Sequence, residues 1–381
     1  MATPAPGHTP GHTPGPTPGP TPGTAPRPRP RSVLDAMPAY RAGKPAASED
    51  LKLSSNENPF GPLPGVLDRA VAQVARMNRY PDAGVTELTS RLAQRHGVTD
   101  DQIAVGTGSV AVLFAALHAF CSEGDEVVHA WRSFEAYPIA IGLSGATSVP
   151  VALRPDFGHD LDAMAAAITE RTRAVLVCTP NNPTGPVVTQ AEFDDFIARV
   201  PDHVLVIVDE AYLEFVRRDD AMAGLRTLAH PQVLVLRTFS KAYGLAGLRV
   251  GYAIADPEVA GAIRKVLPPF GVSDVAQHAA LASLDAEVEL AERIETIVAE
   301  RERVAGALRA AGWRVPESHG NFVWIDTDDP GGFADRCAPV SVRPFPEGVR
   351  ITIGERAVND ALIANVGEAP GTPGATVDAP T

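Results

Sequence analysis

The stretch VLVLRTFSKAYGLAGLRVGY, Val233–Tyr252, decides how the rest of the chain is read. Val233–Leu236 is an all-apolar run, long enough for a buried strand and too short for a helix. Arg237, Thr238, Ser240 and Lys241 follow at once, then a glycine-punctuated segment, and Arg249 opens a second apolar run, Val250–Ala255. A lysine just past the carboxyl end of a buried strand stands where α/β proteins build their sites. Of the chain's four lysines, Lys44 and Lys52 lie in a polar N-terminal approach and Lys265 ends a helix before Pro268–Pro269. Lys241 is the one placed for chemistry.

Upstream of this stretch, short apolar strands alternate with amphipathic helices. Strands are expected at Gln102–Val105, Glu126–His129, Ser148–Leu153, Ala174–Cys178 and Val204–Val208. Helices are expected at Val66–Met77, Val85–His96, Ser109–Phe120, Phe134–Gly142, Leu161–Thr169 and Glu192–Val200. That alternation predicts an α/β fold with a mainly parallel sheet covered on both faces. Past Asp256 the character changes to a helix at Val259–Val266 and a long helical region from Val275 to about Ala311. Short strands at Asn321–Ile325, Val340–Phe345 and Val349–Ile353 and a last helix follow, which makes a smaller α+β domain. The expected division is a Pro/Gly/Thr-rich disordered tail over 1–31, an N-terminal segment over 32–65 packed with the small domain, a large domain over 66–256, a small one over 257–366, and a second disordered tail over 367–381.

Three further motifs fall at the ends of separate expected strands. Gly106–Thr107–Gly108–Ser109 joins a strand to a helix N-terminus, where free amides and the helix dipole favour an anion. Asn181–Asn182–Pro183–Thr184–Gly185 follows the strand AVLVC, and Asp209–Glu210–Ala211–Tyr212 follows VLVIV. Taken singly, these read equally well as a tight turn, a Pro/Gly turn and a helix cap. A carboxylate after five apolar residues is costly unless it meets a cation, however, and a protonated pyridine nitrogen is such a partner. Thr238, Ser240 and Arg249 around Lys241 suit a phosphate. An amine that condenses with a carbonyl beside a phosphate clamp describes pyridoxal 5′-phosphate (PLP) on a Schiff-base lysine.

Together NENPFG, NRYPD, GTGS, TPNNPTG, VDEAY, TFSKAYGLAGLRVGY and VRPFPEGVRITIG, spread over Leu53–Gly354, resemble the fold-type-I PLP-dependent transferases. Within these the resemblance is to the aminotransferases that include the histidinol-phosphate and aromatic amino-acid enzymes. It implies a large domain with a mainly parallel sheet plus a smaller α+β domain, and a homodimer. It implies that Lys241 carries the cofactor and moves the substrate proton, that Asp209 pairs with the pyridine nitrogen, and that Tyr212 and Asn182 bond the phenolic oxygen. Gly108, Ser109, Thr238, Ser240 and Arg249 would take the phosphate, helped by Tyr80 from the neighbouring subunit, and Phe134 would stack on the ring. Arg350 would fork the substrate α-carboxylate. From alternation alone Arg350 and Thr352 lie opposite Val349, Ile351 and Ile353, a pattern a surface arginine also shows. Arg343 alternates likewise and would meet a substrate anion or solvent, and Tyr40 is a further candidate at the substrate.

Substrate is read from the departures. Position 110 is Val where many relatives have an acidic residue, and position 134 is Phe within WRSFEAYP. These and NFVWI resemble the actinobacterial aromatic (phenylalanine) branch, with Trp131, Phe134, Tyr137, Phe322 and Trp324 as candidate apolar walls of which one or two are expected at the ligand. The expected reaction is transamination of aromatic amino acids with 2-oxoglutarate. A histidinol-phosphate aminotransferase is the alternative, and a decarboxylase or lyase of the same fold or a PLP-binding regulator stand further off. Net charge is −13, with 46 acidic against 33 basic residues, which argues against nucleic-acid and anionic-membrane partners. Without a membrane-length apolar run or a secretory leader, and with Cys121, Cys178 and Cys337 scattered as buried thiols, a cytoplasmic protein with no metal site is expected.

Overall fold

The computed structural model of the protein describes residues 28–37, 46 and 48–370, so Tyr40 and most of both expected tails lie outside the described residues. Seven strands form the larger sheet: β1 (Ile103–Gly106), β2 (Glu126–Trp131), β3 (Thr147–Ala152), β4 (Thr172–Cys178), β5 (Leu205–Asp209), β6 (Val233–Thr238) and β7 (Gly251–Ala255). Their order is β1-β7-β6-β5-β4-β2-β3. The run β6-β5-β4-β2-β3 is parallel, and β7 alone is reversed, antiparallel to both β1 and β6. The reversal follows from chain length: the segment between β6 and β7 holds only a short 3₁₀ turn, Ala246–Leu248, and no crossover helix to carry the chain back. Since β7 separates β1 from β6, β1 again runs with the parallel set.

Alternation along the strands sorts the core into two layers. Leu176, Cys178, Ile207, Leu234 and Leu236 face one way, onto Val112, Leu113 and Ala116 of helix Ser109–Phe120 and Ala260 and Ile263 of helix Pro257–Val266. Val175, Val177, Val206, Val208, Val233 and Val235 face the other, onto Phe193 and Phe196 of helix Gln190–Ile197. Both faces are therefore dry, which is why these strands read as unbroken apolar runs. Each fully buried aliphatic side chain contributes about 1.5–3 kcal/mol by leaving water.

The second sheet is antiparallel, in the order β8 (Phe322–Asp326), β10 (Gly348–Thr352), β9 (Arg343–Phe345). It is backed by Glu287–Ala310, against β8, and by Pro330–Arg336, against β9 and β10, with Arg356–Val366 packed on both of these helices. The expected long helical region is two helices, Asp274–Asp285 and Glu287–Ala310, parted at Ala286, whose φ −100° and ψ 49° are not helical. A helix at Pro330–Arg336 was not anticipated. Asp329 caps it by accepting from the Gly332 amide at 2.9 Å, and Pro330 occupies its first position. Residues 51–56 run beside the small sheet, with Leu53 N–H donating to Ser341 O at 2.8 Å and Thr352 N–H to Leu53 O at 3.0 Å. The earlier part of the 32–65 segment lies elsewhere: beside it Arg31 donates to Leu143 O at 3.0 Å, and helix Val33–Ala36 packs on helix Ala136–Ser144 of the large sheet.

Candidate active site

Because β1, β2, β4, β5 and β6 run the same way, everything that follows them in sequence emerges at one edge of the sheet. Lys241, Asp209, Asn182, Phe134 and Ser109 all line a single cavity of about 450 Å³ there, closed on the far side by Arg343 and Arg350 of the small sheet.

Lys241 is enclosed. Its Nζ donates to Ser55 O and Asn56 O, each at 3.3 Å, and its backbone is pinned by Asn58 Nδ2, which donates to Lys241 O and Ala242 O at 3.2 and 2.9 Å. Burial, with the Arg350 guanidinium nearby, pushes its pKa from 10.5 down to about 7. The amine is thus partly neutral at neutral pH, the state in which nitrogen attacks a carbonyl.

Asp209 ends β5 and is 8% exposed. Burial raises its pKa, while a hydrogen bond from Tyr137 OH at 2.9 Å, one from the Ala211 amide at 3.2 Å and the Lys241 charge act the other way. Its neighbour Glu210 points to the opposite side of the strand end and is satisfied there by Arg237, at 2.8 and 2.9 Å, and by the Gly224 amide at 2.7 Å. Adjacent carboxylates are therefore treated differently. Glu210 has its arginine, and Asp209 forms no ion pair among the described residues, facing a cavity that favours a cation.

At the other end Gly108 precedes helix Ser109–Phe120 with φ +88° and no side-chain cap, so the first amides face the cavity edge. A Cβ on Gly108 would stand 2.6 Å from Arg249 Nη2. Arg249 Nη1 donates to Ser240 Oγ at 3.3 Å, and the Ser240 amide to Thr238 Oγ1 at 3.1 Å. Amides, three hydroxyls and a guanidinium here form a donor set for a phosphate.

The remaining candidates sort as follows. Tyr212 is buried and its hydroxyl accepts from Asn56 Nδ2 at 2.9 Å. Asn182 Oδ1 accepts from Arg350 Nη1 at 2.6 Å, and Arg350 Nη2 donates to Ser54 O at 2.7 Å. Arg350 is 8% exposed, so the surface-arginine reading of its alternation does not hold. Arg343 lines the cavity and pairs with Glu135 at 2.8 Å, rather than facing solvent. Tyr80 stands apart: it is 81% exposed, its ring tilted against Phe270 with centroids 4.7 Å apart, and outside the cavity lining of its own chain.

Of the five aromatic candidate walls, only Phe134 lines the cavity. Tyr137 is core, edge-on to Phe134 at 5.6 Å, and its hydroxyl serves Asp209. Trp324 and Phe322 are buried in the small sheet, Phe322 packing edge-on against Tyr212 at 5.1 Å, and Trp131 lies under the Arg132 guanidinium at 4.1 Å. The apolar wall is completed by Val110, Phe114 and Ile139. Asn56 is a working residue that motif reading left without a role. It adopts φ +54°, which asparagine tolerates, donates to Tyr212, exchanges hydrogen bonds with Thr352 at 2.9 and 3.0 Å, and offers its carbonyl to Lys241 and Asn321. Its place in NENPFG, the approach to the small sheet, was the available signal.

A phosphate donor set, a buried carboxylate facing the cavity without a cation and a lysine of lowered pKa fit a phosphorylated pyridine aldehyde. The family model described as aminotransferase class I and II matches residues 48–365. The chain belongs to that family. This aminotransferase is 55% identical over 341 residues to a Streptomyces coelicolor protein named aromatic amino acid aminotransferase, a match covering 87% of this chain and 95% of that protein. A Cutibacterium acnes protein of the same name is 48% identical over 347 residues, covering 89% and 98%. Among solved structures, the histidinol-phosphate aminotransferase of Sinorhizobium meliloti, in complex with pyridoxal 5′-phosphate, superposes with a TM-score of 0.80 at 26% identity, over 90% of this chain and 97% of that one. The aminotransferase fold is the PLP-dependent fold type I, with the mainly parallel sheet and the smaller α+β part described above. Among the described residues no helix is long and apolar enough to cross a membrane.

Proposed function

We propose that this aminotransferase uses pyridoxal 5′-phosphate to move the amino group of aromatic amino acids, phenylalanine, tyrosine and tryptophan, to 2-oxoglutarate, giving aryl keto acids and glutamate. The observation that carries the reading is that one cavity holds a buried arginine, Arg350, and an apolar wall of Val110, Phe114, Phe134 and Ile139 on either side of a partly neutral lysine. An α-carboxylate and a phenyl ring want those two surfaces. Relatives of 48–55% identity carry the aromatic name, whereas the histidinol-phosphate neighbour is far more distant in sequence, which supports the aromatic reading over that alternative.

When bound, the cofactor supplies a carbonyl for the amino group and a ring that draws electron density from the substrate Cα. The rest falls to the chain. Ser109, Thr238, Ser240, Arg249 and the amides after Gly108 would hold the phosphate. Asp209, whose charged form accepts hydrogen bonds from Tyr137 and Ala211, would pair with the ring nitrogen, and Phe134 would stack on the ring. With Asn182 Oδ1 taken by Arg350, its Nδ2 is the donor it offers to the phenolic oxygen beside Tyr212. Lys241 would take the proton from the substrate Cα, its neutral form being the base. We read the large domain as 66–256 together with helix Pro257–Val266, which packs on the large sheet, the small domain as the remainder up to 366, and the enzyme as a homodimer in which Tyr80 reaches the neighbouring phosphate site. Its exposure in the single chain supports that reading. Three free, buried cysteines support a reducing cytosol.

The test is a half-reaction. Phenylalanine added to the holoprotein without an oxo acid should shift the visible absorption of the cofactor and release phenylpyruvate, and Lys241→Ala should do neither. Normal turnover by Lys241→Ala would overturn the site.

A further inference from the structure

The β9–β10 register sets Arg343 directly opposite Arg350 on the same face of an antiparallel pair. Like charges so placed repel, and each needs an acceptor. Arg350 is satisfied by neutral oxygens, Asn182 Oδ1 at 2.6 Å and Ser54 O at 2.7 Å. Arg343 takes the carboxylate of Glu135 at 2.8 Å, with side-chain exposures of 13% and 31%. Glu135 stands between Phe134 and Ala136, both of which line the cavity, while Arg343 lines it from the small sheet. Across the same seam Arg132 and Glu347 also pair with each other, at 2.8 and 3.0 Å.

We propose that Glu135 is a specificity-determining residue, which holds Arg343 in a neutral pair at the cavity wall so that an uncharged side chain is favoured over one ending in a second carboxylate. A phenyl ring can then lie against this wall without facing an arginine stripped of its counter-charge, a costly state in a partly dry pocket. A dicarboxylate such as 2-oxoglutarate or glutamate must compete with Glu135 for Arg343. The wall admits both kinds of substrate, and the carboxylate of Glu135 sets the balance between them. This inference rests on the aminotransferase reading of the same cavity.

The experiment measures kcat/KM of the half-reaction of the holoenzyme with phenylalanine and with glutamate, for the wild type, Glu135→Gln and Glu347→Gln. In Glu135→Gln the phenylalanine-to-glutamate ratio should fall by about tenfold, with the glutamate value rising and the phenylalanine value falling. A purely structural role would lower both together, and that result, or an unchanged ratio, overturns the proposal. Glu347→Gln cuts the neighbouring ion pair between the same two loops and should leave the ratio where it is. If it moves the ratio as far as Glu135→Gln does, tethering of the loops and not charge balance is responsible, and the proposal again fails. A wild type that converts neither amino acid would instead overturn the functional reading on which the inference stands.

Discussion

At the scale of single residues, the site is a set of charges held out of balance until a ligand arrives. Burial disfavours the ammonium form of Lys241, so in the cofactor-free protein the neutral amine becomes populated as pH rises through about 7, not through 10.5. The rate at which that protein captures pyridoxal 5′-phosphate should climb through about pH 7 and level off above it. A rate still climbing towards pH 10 contradicts the assignment. For Asp209 burial works against the charged form, and Tyr137 supports it by one hydrogen bond of 2.9 Å. Tyr137→Phe removes a bond to a charged acceptor worth about 1.5–3 kcal/mol. It should weaken cofactor binding by about tenfold, measured by equilibrium dialysis, and also lower the Tm of the cofactor-free protein, because the buried Asp209 carboxylate loses a donor there too. Lys241 and Asp209 were legible because a polar group directly after an apolar run is conspicuous, whereas the alternation around Arg350 suited a surface arginine as well and only the family resemblance singled it out. Tyr137 and Asn56 were not legible, because their work is to hold other side chains, and that shows only once helix Ala136–Ser144 meets the end of β5, or the N-terminal approach meets β10.

At the scale of elements, strand alternation with its two dry faces was readable, since the runs are apolar without a break. The reversal of β7 and the Ala286 break were harder. The first depends on the missing crossover helix after Lys241, and the second carries no glycine or proline to mark it. Helix Pro330–Arg336 had the Asp-Pro start signal, but Gly331 and Gly332 within its first turn spoke against a helix. The junction of β1 with helix Ser109–Phe120 offers a direct test of element geometry. At Gly108, φ +88° with ψ 157° is a region essentially reserved for glycine and costs an L-residue about 1–3 kcal/mol, and an added methyl meets the Arg249 guanidinium. Gly108→Ala should therefore lower the affinity for pyridoxal 5′-phosphate by more than tenfold, through displacement of Arg249, with only a modest loss in Tm. An unchanged cofactor affinity would remove the phosphate from this helix end.

At the scale of the whole molecule, helix Val66–Val74 lays its inner side on helix Asp274–Asp285 and leaves Leu67, Val71 and Val74 exposed at helical spacing. Met77, Tyr80 and Phe270 continue the apolar surface. An exposed patch of this kind marks an interface, and a second copy bringing Tyr80 is the occupant the homodimer reading requires. Light scattering should give twice the chain's mass, and the double variant Leu67→Asp with Val71→Asp should give a monomer of much reduced activity. A fully active monomer would contradict the shared site. The central claim is the aromatic substrate, because the fold and the lysine would serve many amino acids while the wall of Val110, Phe114, Phe134 and Ile139 would not. The measurement that bears on it most directly is kcat/KM for phenylalanine and for histidinol phosphate, each with 2-oxoglutarate. The account predicts a preference for phenylalanine of at least about tenfold. A preference for histidinol phosphate would contradict it and recast Arg343 as a ligand of the substrate's phosphate.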